Sequence, residues 1–200
     1  MPRTGGEQRR QEIIRHAVRL FGARGYEGTA LDAVAEAAGI RKQSLLYYFP
    51  TKDGLFEACV SAVSGRVVET LVAALDGPQD GWDRVEQVIR SLFRLAEEWP
   101  EFPGFVREAS RRGADVVQRF AGTLDPLRKR AIEFLEKGME DGLFRPQEPS
   151  LLLFMIYTAV VGSITEAGVL RAVAGGGKAV LRRREEELLE FVRAALAPAR

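Results

Sequence analysis

Apolar residues recur at helical spacing along almost the whole chain, and no run of alternating Val, Ile and Thr predicts a β-strand. The first predicted helix extends from about Glu7 to Arg24 and ends at Gly25. A second, short helix begins after Thr29, which resembles a weak capping box together with Asp32, and it ends at Gly39. The pattern therefore predicts an all-α protein.

Breaks that contain glycine or proline divide the remaining chain into further predicted helices. A third short helix covers about Lys42 to Phe49, and a fourth begins after Thr51 and ends near the turn Asp76 to Pro78. The later predicted helices cover about Trp82 to Glu98, a stretch that starts near Gly104, Thr123 to Asp141, Ser150 to Val173 and Lys178 to Leu196. We expect a small helical domain over residues 1–52 and a larger helical domain over 53–200.

The stretch from Thr29 to Phe49 has the spacing that a helix-turn-helix requires. Ala35 must be small because the second helix crosses close above it, and Gly39 supplies a turn conformation that a side chain would disfavour. Leu45 then fills the angle between the two helices. The face that remains outward carries donors suited to base edges and phosphates in a major groove: Arg41, Lys42, Gln43, Ser44 and Tyr47.

The distribution of charge supports this interpretation, although the whole chain is nearly balanced at +1. Residues 1–52 carry nine basic and five acidic side chains, which gives +4 and leaves −3 for the rest. The positive field is therefore expected at the N-terminal end.

Scarce residue types weigh against several other functions. The chain has a single cysteine, Cys59, and a single histidine, His16, so an internal disulfide and a Cys/His zinc cluster are not expected. One histidine also leaves few options for activating a nucleophile. We therefore predict no catalytic site, metal or cofactor. The polar opening Met1 to Gln11 lacks the pattern of a secretory signal, which favours a cytoplasmic location.

The segment Ile13 to Leu55 resembles the N-terminal domain of the tetracycline-repressor (TetR) family. It contains the pattern LF-x-x-x-GY-x-x-T, the turn A-x-x-x-GI and the ending YF-x-x-K-x-x-L in coupled spacing. The resemblance implies a homodimer that binds a palindromic operator in double-stranded DNA, usually to repress transcription, and a C-terminal half that binds a small-molecule inducer.

The resemblance also implies roles for individual residues. Base contact is implied for Lys42, Gln43 and Tyr47, and phosphate contact for Thr29, Ser44, Tyr48 and Lys52. The chain departs from the family pattern at Leu46, where family members often carry a tyrosine, and at Asp32, where a basic residue is common.

The charge-free stretch Leu151 to Thr165 invites comparison with a membrane span, but it is shorter than the ~20 apolar residues that a bilayer requires. Glu166 interrupts it. We therefore expect no membrane partner and predict a helix buried in a dimer interface. The last helix carries a complementary apolar face, and the resemblance implies that the last two helices form a four-helix bundle between subunits.

A ligand pocket is predicted among apolar and aromatic residues of the middle helices, and an arginine there could meet an acidic head group. The candidates are Phe93, Trp99, Phe102, Phe105, Arg107, Phe120, Phe134 and Tyr157. For each aromatic residue, a place in the hydrophobic core is at least as good an interpretation, and Arg107 also fits an ordinary surface arginine. Two rival functions stay open at this stage: a helical ligand-binding protein or enzyme without specific DNA binding, and an architectural protein that binds DNA without sequence preference.

Overall fold

The structure, a computed structural model, describes residues 4–78, 80–175 and 178–198. Within these ranges the chain forms ten α-helices and no β-strand, so the predicted all-α fold is confirmed. The helices are α1 (Thr4–Arg24), α2 (Leu31–Ala37), α3 (Lys42–Tyr48), α4 (Lys52–Leu75), α5 (Gly81–Glu98), α6 (Phe102–Arg111), α7 (Ala114–Glu140), α8 (Pro149–Thr165), α9 (Ala167–Ala174) and α10 (Lys178–Leu196).

The chain forms two compact units. The N-terminal unit consists of Met1–Arg66 and Trp99–Thr123, and the C-terminal unit consists of Val67–Glu98 and Leu124–Arg200. The N-terminal unit is larger than the predicted domain of residues 1–52, because it includes part of α4, all of α6 and the start of α7. The division of function at residue 52 stays a prediction.

A glycine pair explains why α6 belongs with the N-terminal helices. A Cβ atom on Gly22 of α1 would lie 2.9 Å from the Glu101 carbonyl oxygen and 2.9 Å from the Phe105 nitrogen. A Cβ atom on Gly104 of α6 would lie 2.7 Å from the Gly22 carbonyl oxygen. Since real Cβ atoms do not approach backbone so closely, the absence of both side chains lets α1 and α6 pack backbone against backbone.

Four aromatic rings form the centre of the N-terminal unit. Phe56 of α4 meets Phe21 and Tyr26 edge to face, with ring centroids 5.1 and 5.3 Å apart. Phe105 of α6 lies 5.3 Å from the same Phe56 ring. These ring contacts fix the positions of α1, α4 and α6 more specifically than apolar burial alone.

The C-terminal unit is held by contacts between α5, α8 and α10. Arg90 of α5 donates to Glu86 on its own helix at 2.8 Å, and to Glu185 and Glu186 on α10 at 2.9 Å each. These hydrogen bonds lower the pKa of Glu186 from its ordinary value, and the proximity of the charged guanidinium acts in the same direction. Arg90 therefore fixes the register between α5 and α10.

The single helix predicted over Ser150 to Val173 is wrong, because two helices, α8 and α9, occupy this stretch at an angle of 82°. The backbone of Glu166 leaves the helical region, with φ −98° and ψ 45°. Its carbonyl then accepts the first hydrogen bond of α9, from Leu170, while its own N–H ends α8 on the Gly162 carbonyl. Apolar residues continue at helical spacing on both sides of Glu166, so the sequence pattern does not predict the break between α8 and α9.

The predicted start of a helix at Thr123 is also wrong. That residue lies inside α7, which begins at Ala114, and its hydroxyl donates to the Arg119 carbonyl one turn earlier.

Among the described residues, α4 is long and apolar enough to cross a membrane, and so are α8 and α9 if the bent pair is counted as one span. The core helix of a soluble protein meets the same criteria. In the N-terminal unit, α4 contributes the buried residues Leu55, Phe56, Cys59 and Val63 to the core. Burial raises the pKa of the Cys59 thiol well above its ordinary value, which suits a packed, unreactive cysteine.

Candidate DNA-binding site

The turn between α2 and α3 is closed by backbone hydrogen bonds. The Gly39 N–H donates to Glu36 O at 3.0 Å, and the Ile40 N–H donates to Ala35 O at 3.0 Å. Gly39 has a φ of +65°, a left-handed conformation that disfavours any side chain. Ala35 is buried and Leu45 of α3 is fully buried, as the sequence predicted for a helix-turn-helix.

Helix α3 separates its buried and exposed residues cleanly. Leu45 and the following Phe49 face the core, four residues apart. The exposed residues form the opposite face, which we call the α3 face: Arg41, Lys42, Gln43, Ser44 and Tyr47. Tyr47 is 82% exposed, and Tyr48 is half-buried, with its ring edge to face against Tyr47 at 5.3 Å. The α3 face can therefore meet another surface without any rearrangement of the core.

The role implied for the Thr29 side chain is wrong in this structure. Only 1% of Thr29 is exposed, and its hydroxyl donates to the carbonyls of Gly25 at 2.7 Å and Leu20 at 3.2 Å. Nor does it cap α2, whose N-cap is Ala30 with no side-chain hydrogen bond. Thr29 instead satisfies carbonyls at the end of α1, a task that the sequence pattern does not distinguish from phosphate contact.

Lys42 is held by an acidic neighbour. Its ammonium lies 2.7 Å from Asp32 Oδ2 across the α2–α3 turn, and both side chains are exposed. Such a surface ion pair contributes little to stability. It places a negative charge beside the α3 face, at the position where the sequence departs from the family pattern.

Lys52 lies at the first turn of α4, where the Thr51 hydroxyl accepts from the Gly54 N–H at 3.0 Å and so caps the helix. The Lys52 ammonium is 4.2 Å from the centroid of the Tyr26 ring. The Tyr26 hydroxyl in turn donates to Asp53. Burial and this hydrogen bond raise the pKa of Tyr26 to about 12, so the phenol stays neutral.

Two residues at the C-terminal end of α6, which the sequence pattern does not identify, contact Tyr26. Glu108 accepts from the Tyr26 N–H at 2.7 Å, and the Arg112 guanidinium lies 3.7 Å from the Tyr26 ring centroid. Arg112 also pairs with Asp53 at 3.2 Å. These partners are far apart in sequence and their types are ordinary, so no local pattern identifies them. They connect α6 directly to the segment that precedes α2.

The predicted ligand residues are divided between the two units. Trp99, Phe102, Phe105, Arg107 and Phe120 belong to the N-terminal unit, whereas Phe93, Phe134 and Tyr157 belong to the C-terminal unit. Phe93, Phe102 and Phe105 are buried, as the alternative core interpretation requires, while Arg107 and Tyr157 are exposed. Two clefts of the C-terminal unit, of about 360 and 510 Å³, are lined by other residues. None of the predicted ligand residues lines either of these two clefts, so the predicted pocket stays a prediction.

The sequence matches the family described as bacterial regulatory proteins, tetR family, over residues 13–59. The HTH-type transcriptional regulator RutR of Escherichia coli strain K12 is 25% identical over 171 residues, which cover 84% of this chain and 79% of RutR. The N-terminal segment that contains α2 and α3 is therefore similar to the tetR family. The match contains every residue of α2 and α3, so the predicted recognition of the family from its helix-turn-helix is confirmed.

Two further proteins extend the comparison. The biofilm operon icaADBC HTH-type negative transcriptional regulator IcaR of Staphylococcus aureus strain Newman is 41% identical over 51 residues, 26% of this chain and 27% of IcaR. The crystal structure of AibR, in complex with isovaleryl coenzyme A and operator DNA, matches with a TM-score of 0.76 and 18% identity. That match covers 96% of this chain and 100% of AibR, so the similarity of fold includes the C-terminal helices.

Proposed function

We propose that the protein is a homodimeric transcriptional repressor that binds a palindromic operator through the α3 face and releases it when a small ligand binds. The observation that carries the proposal is the α3 face itself, five exposed polar or aromatic residues opposite a buried Leu45. Arginine, lysine, glutamine and serine supply the hydrogen-bond donors that base edges and phosphates accept. An exposed tyrosine on such a face suits contact with bases better than contact with water.

The named relatives support the same function. RutR and IcaR are named as HTH-type transcriptional regulators, and IcaR as a negative regulator of an operon. AibR was solved with both a coenzyme A thioester and operator DNA. We infer a cytoplasmic protein that acts by binding and not by catalysis.

A homodimer follows from the surface of α8, which carries no charged residue. Leu151, Phe154 and Met155 are all more than half exposed, and they share one helical face because they are three and four residues apart. Phe191 of α10 is exposed as well, and a groove of about 360 Å³ lies between Met155 and Phe191. We call this the α8–α10 face. An apolar surface of this kind is typical of a subunit interface, and a second copy of the chain would bury it.

Dimerisation would make the α3 face specific for a palindromic DNA site. Two copies related by a two-fold axis can present their α3 helices to half-sites one DNA turn apart, about 34 Å. A ligand that favours a different spacing by ~1–3 kcal/mol would weaken operator binding several-fold to about a hundredfold. No direct competition between ligand and DNA is required.

The first experiment measures binding to the DNA upstream of the protein's own gene and to random DNA of equal length. We expect the upstream fragment to bind ~10³-fold or more tightly than random DNA. Tyr47→Ala should remove about 1–3 kcal/mol of discrimination at particular base pairs, whereas Tyr47→Phe, which keeps the ring, shows whether the hydroxyl is used. A wild-type protein that binds both DNAs equally would contradict the proposal, and so would equal losses on both DNAs for Tyr47→Ala.

A second prediction concerns the Lys42–Asp32 pair. Asp32→Asn should strengthen binding to every DNA sequence by about threefold to tenfold at low salt, because it removes a negative charge beside the α3 face and frees the Lys42 ammonium for phosphate. The dependence of log affinity on log salt should become steeper by up to about one unit. Titrations at several salt concentrations measure both quantities.

The matched control is Glu36→Gln, which removes an exposed acidic charge from the same helix at a residue with no partner in common with Lys42. We expect Glu36→Gln to change the DNA affinity and its salt dependence less than Asp32→Asn does. An unchanged affinity and salt slope for Asp32→Asn would show that the Asp32–Lys42 pair does not influence DNA binding.

A further inference from the structure

Arg184 of α10 has an unusual environment in the C-terminal unit. Its Nη1 donates to the Ser163 carbonyl of α8 at 2.8 Å, and its guanidinium lies 5.0 Å from the centroid of the Phe93 ring. Among the described residues, its Nε is the buried side-chain nitrogen or oxygen that lacks a hydrogen-bond partner. A partly buried guanidinium usually meets a carboxylate or several carbonyls, and here it meets one carbonyl and one ring.

The glutamates that follow Arg184 in sequence form their ion pairs with other arginines. Glu185 and Glu186 pair with Arg90 at 2.9 Å each, and Glu187 pairs with Arg183 at 2.7 Å. Burial lowers the pKa of Arg184, whereas the charges of Glu185 and Glu97 act in the opposite direction. The guanidinium still carries its positive charge at physiological pH, so its environment favours a nearby anion.

Arg184 also lines a cleft of about 510 Å³. The cleft exists because α9 turns 82° away from α8 at Glu166, which leaves space between α9 and α10. Ser163 lines it from α8, and Leu170 and Ala174 line it from α9. The residues of α10 that line it beside Arg184 are Val180, Leu188 and the mutually paired Arg183 and Glu187. The volume falls in the range of small-molecule sites, whose walls are mostly apolar with a few polar groups that orient the ligand.

We propose that this cleft, the Arg184 cleft, binds an amphipathic carboxylate, with its anionic head at the Arg184 guanidinium and its apolar chain against Leu170, Val180 and Leu188. The carboxylate would supply a counter-charge that is hydrogen-bonded directly to the guanidinium. The inference rests on the proposed ligand-responsive function, since it names the chemical class of the ligand.

The first test uses the full-length wild-type protein without DNA and measures heat of binding for octanoate and for octanamide. The two molecules share an eight-carbon chain and a planar head, but only octanoate is charged. We expect octanoate to bind at least tenfold more tightly, as a charge-assisted hydrogen bond to arginine predicts. Equal affinities, or no detectable binding of octanoate at millimolar concentration, would overturn the inference.

The second test compares variants. Arg184→Gln should weaken octanoate at least tenfold and leave octanamide unchanged within about twofold, because only the charged head loses its partner. Arg171→Gln is the matched control: it removes the charge of an exposed arginine on α9 that does not line the cleft. Equal weakening by both variants would indicate general attraction and overturn a specific site. If Arg184→Gln does not fold, the octanoate–octanamide comparison decides alone.

Failure of the inference and failure of the proposed function are distinguishable. Operator binding is measured without octanoate, and octanoate binding is measured without DNA. A protein that binds its operator but does not distinguish octanoate from octanamide keeps the proposed function and loses the Arg184 cleft. A protein that binds octanoate through Arg184 but no operator loses the proposed function instead.

Discussion

The double substitution Leu151→Arg and Phe154→Arg is expected to convert the dimer to a monomer and to weaken operator binding at least a hundredfold. In one chain these residues are 61% and 59% exposed on the charge-free helix α8. If the α8–α10 face is the interface, each subunit would have to bury two unpaired guanidinium groups against apolar residues. Burial of even one unpaired charge costs several kcal/mol, which is enough to dissociate a typical dimer.

The loss of operator affinity follows from the loss of the dimer. A palindromic operator offers two half-sites, and a monomer uses only one of them, so the second contact no longer occurs at high effective concentration. Sedimentation velocity over a range of protein concentrations measures the assembly, and titration of operator DNA measures the affinity.

Val117→Arg is the matched control for this experiment. Val117 is an exposed apolar residue of α7 in the N-terminal unit, outside the α8–α10 face. The control variant should remain dimeric and bind its operator as the wild type does. A double variant that stays dimeric would place the interface elsewhere, and a monomeric wild type at micromolar concentration would contradict the proposed dimer altogether.

The helix-turn-helix could be predicted because its requirements are local. A small residue at Ala35, a turn at Gly39 and a buried Leu45 follow from the geometry of two short crossing helices, and all three residues are where the sequence predicted them. The same is true of the exposed α3 face, since periodicity alone determines which residues oppose Leu45.

Features that depend on distant partners could not be predicted in the same way. Thr29 has the residue type of a helix cap or a phosphate ligand, and only the fold shows that its hydroxyl reaches back to Gly25. Arg112 contacts Tyr26, although five helices lie between the two residues in sequence. Apolar residues continue at helical spacing on both sides of Glu166, so the sequence pattern does not predict the bend there. The Arg184 cleft depends on this bend and could not be predicted either.

Phe56→Ala is expected to lower the free energy of unfolding by about 3–5 kcal/mol, the usual cost of removing a buried phenylalanine. Phe56 is only 2% exposed, and its ring contacts Phe21, Tyr26 and Phe105, which come from three different segments. The remaining rings cannot close the space without moving α6 relative to α1, and the close approach of those helices opposes such a movement. Chemical denaturation monitored by circular dichroism measures the change.

The same substitution should also affect DNA binding beyond its effect on stability, because the Tyr26 ring that rests on Phe56 supports the ammonium of Lys52. At a temperature where the variant remains folded, we expect weaker binding to operator and random DNA alike, since a misplaced Lys52 loses a phosphate contact that carries no sequence information. Tyr47→Ala is the control for stability: its exposed ring should change the free energy of unfolding by less than about 0.5 kcal/mol. A loss below about 1 kcal/mol for Phe56→Ala would show that the four rings do not form the centre of the N-terminal unit.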